Sequence, residues 1–486
     1  MFSKRKSGIL LHPISLPSNY GIGDIGKNAF LFVDFLKETN QTMWQILPLG
    51  KDLYCSDSAF AGNYLMIDLE DLCEIGLLKK DEINDYKNYS FNDKKINYAV
   101  VEKYKLEKLR ISYKSFTATE EFIIFCNENN YWLNDYALYN ALTNHLNKYW
   151  LEWDDELKNR EKGALERYSE KLKEEINFYK FIQYIFTRQW QKLKKYAKEN
   201  KIEIFGDIPI FVSNAIDVWA HPEIFLLDED KRPKFISGVP PDYFSETGQL
   251  WGNPLYNWEV LKETGFRWWL ERIKHILKYV DYLRIDHFRG FEAFWAVPAN
   301  SKTAINGEWV KAPGDLLFET VRKELGELPI IAEDLGIITD EVVALRDKFN
   351  FPGMKILQFG FDKPESEYLP HNFTTTNCVV YTGTHDNDTI FGWLNSISEK
   401  ERKNLTFYLG EIDKNNFNWQ MIKLGMSSIA IFSIFPMQDI LGLGSEARMN
   451  VPSLSEGNWL WRFKWEQLTE KMKENLKEYT IMYNRI

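Results

Sequence analysis

Short apolar, β-branched runs recur along the chain, each closing on polar, glycine or proline residues. Eight stand out: 8–15 (GILLHPIS), 43–50 (MWQILPLG), 202–212 (IEIFGDIPIFV), 280–288 (VDYLRIDHF), 328–336 (LPIIAEDLG), 353–361 (GMKILQFGF), 377–386 (NCVVYTGTHD) and 429–441 (IAIFSIFPMQDIL). They are nearly continuous in apolar character rather than alternating. A strand with one wet face alternates, whereas a strand buried on both faces does not, so the runs predict a parallel sheet. Between them, apolar residues recur at helical spacing. A helix over 30–39 follows the first run, and a helix over 266–279 carries Trp269, Ile273 and Ile276 on one face before the fourth. A helix over 316–325 precedes the fifth run. Thr339 is placed to cap the helix after it, with Asp340 and Glu341 in a first turn where carboxylates suit the helix dipole. Eight strands alternating with helices predict an α/β fold, a (β/α)8 barrel of the TIM type. No repeat of fixed period is present.

Two gaps are too long for ordinary connections. About 150 residues separate the second and third runs; they are rich in Lys, Glu and Asn and read as helices, including a long one over 171–200. The second gap, 213–267, is rich in Pro, Gly and aromatics (PPDYFSETGQLWGNPLYNW). Long structured loops on a barrel usually serve binding. The expected organisation is a catalytic barrel at 1–69 and 176–486, a helical insertion subdomain at 70–175 after strand 2, and a loop or lid insertion at 213–267 after strand 3. The chain stops shortly after the last barrel helix, so no C-terminal β-domain is expected.

Composition narrows the partners. The 486 residues carry a formal net charge of −10, which repels phosphate backbones and argues against nucleic acid. No apolar run approaches the roughly 20 residues of a membrane span. The N-terminal apolar stretch 9–11 is interrupted by His12 and Pro13, too short for a signal peptide. Cys55, Cys73, Cys126 and Cys378 form no CxxC pair and read as reduced thiols of a cytoplasmic protein. Aromatics make up 15% of the chain, with 17 Trp. Indole rings fill cores, and they also stack on the flat C–H faces of sugars while offering a polar handle; composition leaves both open.

Charged residues inside the apolar runs carry more. Barrel chemistry sits at the C-terminal strand ends, and those ends read Asp207 on the third run, Arg284 and Asp286 on the fourth, Glu333 and Asp334 on the fifth, and His385, Asp386 and Asp388 on the seventh. Any one could be a salt-bridged barrel residue. A whole set on one rim is costly to bury unless it is used. Arg284 and Asp286 are two apart and share a strand face. A guanidinium beside a carboxylate favours ionisation and predicts a lowered pKa for Asp286, as a nucleophile requires. Another carboxyl, kept protonated, would protonate a leaving oxygen, and such a pair is the minimal apparatus for cleaving a glycosidic bond. Glu333 and Asp334 point to opposite faces, and spacing alone does not say which enters the site. THDND also has the look of hard metal ligands. However, the chain has only seven His and no HxH or HExxH, so neither metal nor cofactor is expected.

At these residues the chain resembles the amylomaltase family of 4-α-glucanotransferases, the disproportionating enzymes. The resemblance runs through GILLHPISLPSNYGIGDIG, WQILPLG, FGDIPIFV, PPDYFSETGQLWGNPLYNW, LRIDHFRGFEAFWAVP, IIAEDLG, TGTHDNDT and SEARMNVPSLSEGNWLWR. It implies Asp286 as the nucleophile, Glu333 as general acid and then base, and Asp386 as the group gripping hydroxyls of the reacting sugar. Arg284 and His385 would hold that ring, and Asp207 would contact the donor further along. Tyr243 to Trp251 would form an aromatic lid, with Asn253, Asn63 and Tyr54 completing the sugar contacts. The implied partners are α-1,4-glucans and maltooligosaccharides, with glucose as an acceptor. One departure is the loop KDLYCSDSAFAGN, shorter than the family's and lacking its Ser-Pro-Tyr-Gln-like segment. Tyr54 or Ser56 is the available substitute, and weaker donor binding is the expectation. The NYLMIDL segment also lacks the family's usual Pro after Asn63. An α-glucan hydrolase would use the same carboxylates, with water in place of the acceptor. A catalytically silent glucan-binding protein would have lost one of the three acids, and all three are present.

Overall fold

A computed structural model describes residues 4–241, 245–452, 454 and 456–486. Eight parallel strands form the centre: β1 (Lys6–Leu10), β2 (Met43–Gln45), β3 (Glu203–Pro209), β4 (Tyr282–Asp286), β5 (Ile330–Ala332), β6 (Gly353–Ile356), β7 (Cys378–Tyr381) and β8 (Phe432–Pro436). Their order is β6-β7-β8-β1-β2-β3-β4-β5. The ring closes where Ala332 N donates to Pro352 O at 2.9 Å, joining β5 to the segment entering β6. Seven strands fall within the apolar runs and β1 overlaps the first, starting two residues before it, and nearly every strand residue is buried. The continuous apolar patterning therefore has its physical cause: side chains face barrel interior on one side and helices on the other.

The connecting helices come where periodicity put them, at Lys27–Glu38, Arg267–Ile276, Gly314–Leu325 and Asp340–Lys348. Thr339 does occupy the last helix's N-cap, but its hydroxyl accepts no backbone N–H there. Between β2 and β3 the chain is helical, ending in the long helix Lys173–Glu199. That helix turns Ile182, Phe186, Trp190 and Leu193 inward, each worth about 2–3 kcal/mol in burial. The apolar core runs without a break from the barrel strands into these helices, from Ile9 through Trp190 to Leu133 and Trp150. At the N-terminal end of the barrel, fully buried Arg485 donates to the carbonyls of Met426, Ala430 and Ser428.

The 213–267 stretch is more ordered than a loop. Strands Phe235–Val239 and Gln249–Pro254 lie within it. They pair antiparallel with each other, and Phe235–Val239 also pairs with Ala293–Pro298, which pairs with Glu308–Lys311. The last two strands follow β4, so a four-stranded sheet stands on the C-terminal rim. Its strands read FISGV and QLWGNP; glycine and proline in them mimic turn signals, and FISGV takes its second partner from beyond β4. Tyr243 lies outside the described residues. Most tryptophans serve the core, with Trp44, Trp150, Trp190, Trp219 and Trp269 fully buried, while Trp251 and Trp309 are exposed.

Candidate active site

The C-terminal ends of β3, β4 and β5 bring three of the carboxylates together. Arg284, buried on β4, reaches both ways. Its Nη1 donates to Asp207 Oδ2 of β3 at 2.6 Å, and its Nη2 donates to Asp286 Oδ1 at 2.7 Å. The strand register pairs Asp207 with Arg284 across the ladder, which is why one guanidinium spans both acids. Just past β5, Glu333 lies beside the end of β4. Its Oε2 accepts His287 N–H at 2.7 Å and its Oε1 accepts Leu335 N–H at 3.0 Å. His287 has φ 52°, a left-handed conformation that a non-glycine residue adopts at some strain. Its N–H is the one that meets Glu333.

Asp334 points elsewhere. It pairs with Arg346, and its Oδ1 accepts Met354 N–H at 2.7 Å. A Cβ at Gly353 would come 2.4 Å from Asp334 Oδ2, so only glycine leaves room for this anchor. The choice left open by strand spacing is thus resolved geometrically: Glu333 faces Asp286, and Asp334 ties β5 to β6.

The β7 end supplies His385 and Asp386. Asn450 Nδ2 donates to Asp386 Oδ1 at 2.6 Å, and His385 Nε2 lies 3.3 Å from Asp386 Oδ2. Arg448 holds the Asp386 carbonyl at 2.8 Å. Tyr54 stacks on His385 with centroids 5.2 Å apart at 16°, and lies 5.7 Å from Trp459. The Tyr54 hydroxyl donates to Asp207 Oδ2 at 2.5 Å. Of the two candidates on this loop, Tyr54 reaches the carboxylate cluster, whereas Ser56 Oγ donates to Ser58 O at 3.1 Å.

Protonation follows from crowding. Burial raises the Glu333 pKa and the negative charge of Asp286 adds to it, against the pull of Arg284 and two backbone N–H groups. Asp286 is also raised, contrary to the sequence expectation of a lowered value. Burial outweighs Arg284, and Asp207 and Asp386 push the same way as burial. Arg284 stays charged well above its ordinary range: burial works against it, but Asp207 and Asp286 prevail. One cation among these acids cannot balance them all, and the proton rests on Glu333, whose carboxyl is raised the most. His385 is held neutral by burial.

The other sugar-contact candidates divide. Trp251 is exposed beside the site, edge-on to His287 at 4.7 Å. Asn63 is 1% exposed; its Oδ1 accepts Leu65 N–H at 3.0 Å, capping a short 3-10 turn. Asn253 is tied to the rim sheet, accepting from Ser237 Oγ at 3.1 Å and donating to Val212 O at 3.2 Å. Both asparagines hold loops in this arrangement rather than facing the carboxylates. Asn450, Arg448 and Trp459 were not singled out from sequence. They sit in the SEARMNVPSLSEGNWLWR motif, an irregular segment whose spacing alone does not say which side chains turn toward the site.

Comparison with known proteins gives the family of the chain. The family model described as 4-alpha-glucanotransferase matches residues 11–469. The 4-alpha-glucanotransferase of Aquifex aeolicus is 50% identical over 99% of both chains. That of Thermus thermophilus is 45% identical over 94% of each. Among solved structures, amylomaltase from Streptococcus agalactiae in complex with acarbose is 42% identical, with a TM-score of 0.95 over 99% of this chain and 100% of that one.

Proposed function

This chain belongs to the 4-α-glucanotransferase family, and from that premise we propose that Asp286, Glu333 and Asp386 carry its transfer of α-1,4-glucan segments by retaining double displacement. The observation that carries the reading is Arg284 bonded at once to Asp207 and Asp286, beside a Glu333 whose carboxyl is pushed upward. Asp286 attacks the anomeric carbon of the donor sugar. The glycosidic C–O bond breaks, its electrons go to the leaving oxygen, and Glu333 protonates that oxygen. In the second half, the acceptor hydroxyl attacks the same carbon, gives its proton to the Glu333 carboxylate and releases Asp286.

Around this centre, Asp386 grips hydroxyls of the reacting ring, and Asn450 and His385 aim it. Arg284 and Tyr54 border the donor side, and Trp251 offers a stacking face. Asp207 sits behind Arg284 and Tyr54, holding both. Donors are maltooligosaccharides and longer α-1,4-glucans, and glucose serves as a short acceptor. Acarbose, bound by the Streptococcus agalactiae relative, is expected to bind at this rim. No helix among the described residues is long and apolar enough to cross a membrane, and the free cysteines fit a cytoplasmic setting.

The test is Asp286→Ala. Turnover should fall by at least about three orders of magnitude with the fold intact. Azide added to the variant should trap a glycosyl azide of inverted anomeric configuration. Transfer at near the wild-type rate by this variant would overturn the assignment.

A further inference from the structure

His12 follows β1 and is 2% exposed. Its Nδ1 accepts Leu47 N–H at 3.1 Å, so a neutral ring carries its proton on Nε2. Burial keeps it neutral, pushing its pKa down to about 3, with His385 nearby adding to the effect. That Nε2 has no hydrogen-bond partner among the described residues, and neither does Nδ1 of His385. The two imidazoles line one cavity, together with Ser15, Thr384, Gln438 and Asp439. About 30 Å³ of it is open to the centre of a water molecule, whereas one water needs ~10–15 Å³. Buried polar nitrogens are almost always hydrogen-bonded, and a donor and an acceptor facing one polar cavity complement each other through water.

We propose that His12 is a positioning residue for the transfer reaction: through a bridging water in this cavity its Nε2–H supplies a donor to His385 Nδ1, which holds His385 as the tautomer that donates Nε2–H to Asp386. The chain of bonds then runs from Leu47 N–H to His12, through water to His385, and on to Asp386 Oδ2, 3.3 Å from His385 Nε2. Asn450 holds the other oxygen of Asp386, so both are oriented before a sugar arrives. The opposite tautomer would turn a lone pair of His385 toward a carboxylate oxygen and repel it. The proposal rests on the reading of Asp386 as the group that grips the reacting sugar.

The test uses the full-length enzyme labelled with nitrogen-15 histidine, with signals assigned through His12→Gln and His385→Gln. The wild type should show both His12 and His385 protonated at Nε2. His12→Phe keeps the bulk and removes the donor; His385 should shift toward Nδ1–H, and kcat should fall about tenfold with KM changed less than twofold. His12→Gln, which can accept from Leu47 and still donate, should restore the wild-type signature and most of kcat. A wild-type His385 protonated at Nδ1 overturns the proposal, as does wild-type kcat in His12→Phe. If His12→Phe does not fold, the wild-type spectrum and the His12→Gln rates decide. Asp386→Asn, measured alongside, separates the two readings: wild-type activity there would sink the role of Asp386, while the tautomer still reports on the bridge.

Discussion

Glu333 accepts a backbone N–H at each oxygen, which favours its ionised form, yet burial beside Asp286 holds a proton on it near neutrality. The same crowding sets a pH window. Asp286 is raised to about 6 and Glu333 to about 8. The proposed roles need Asp286 ionised and Glu333 protonated, so kcat/KM should fall below the first value and above the second, a bell centred near pH 7. Glu333→Gln should lose the alkaline limb and slow natural glucans far more than a glucosyl fluoride, whose leaving group needs no proton. Equal slowing of both substrates would argue against Glu333 as the acid. Stability carries the opposite sign to that of an ordinary ion-paired carboxylate. Both carboxyls bind their protons more tightly folded than unfolded, so their contribution is full below the unfolded pKa near 4 and is lost as pH rises through the folded values. The wild-type Tm should therefore drop between pH 5 and pH 9 more steeply than that of Glu333→Gln. Parallel Tm curves for the two proteins would contradict the raised pKa of Glu333.

Among the structural elements, the loop after β2 carries two competing expectations: its shortness suggested weaker donor binding, whereas the position of Tyr54 against His385 and Asp207 leads us to propose that this tyrosine holds the donor. Tyr54→Ala should raise KM for maltotriose about tenfold, in line with losing a stacking face and a hydroxyl. Tyr54→Phe should fall between that variant and wild type, and grafting a longer loop should leave KM unchanged. A lower KM in the graft would show that Tyr54 does not fill the place. The barrel strands were legible because each is an apolar run buried on both faces. Arg284, Asp286, Glu333 and Asp386 were legible because charge at the end of such a run has few structural excuses. The rim sheet was not, since FISGV and QLWGNP carry turn residues and FISGV takes its second partner, Ala293–Pro298, from beyond β4. The pKa of Asp286 was misjudged for a related reason. Its neighbour in sequence is Arg284, whereas the burial that outweighs Arg284, and the acids from β3 and β7 that add to it, come from the fold. His12 and Asn450 lie inside motifs that carried the resemblance, but neither was assigned a role, because the partner of each comes from a distant part of the chain.

At the scale of the whole molecule, what separates a transferase from a hydrolase is which nucleophile reaches the sugar that Asp286 is proposed to hold. Water vastly outnumbers any acceptor sugar, so transfer prevails only if the assembled site orients the acceptor or excludes water by several kcal/mol. The barrel alone leaves its C-terminal face open. The four-stranded sheet built from segments after β3 and β4 raises a wall beside that face, with Trp251 exposed on it and edge-on to His287, one residue from Asp286. An acceptor ring stacked there would occupy space that water otherwise takes, with its hydroxyls close to Glu333. Maltotriose should accordingly yield glucose together with longer maltooligosaccharides, with little rise in total reducing ends. Added glucose should redirect the products toward short sugars. Trp251→Ala should lower the total rate and raise the hydrolysed share, because it removes the acceptor's platform while leaving Asp286 and Glu333 in place. The product chromatogram and the reducing-end assay read these two effects separately. Reducing ends that climb steadily in the wild type, with no product longer than maltotriose, would mean that the wall does not favour the acceptor over water. An unchanged product ratio in Trp251→Ala would instead move the acceptor platform to another part of the rim.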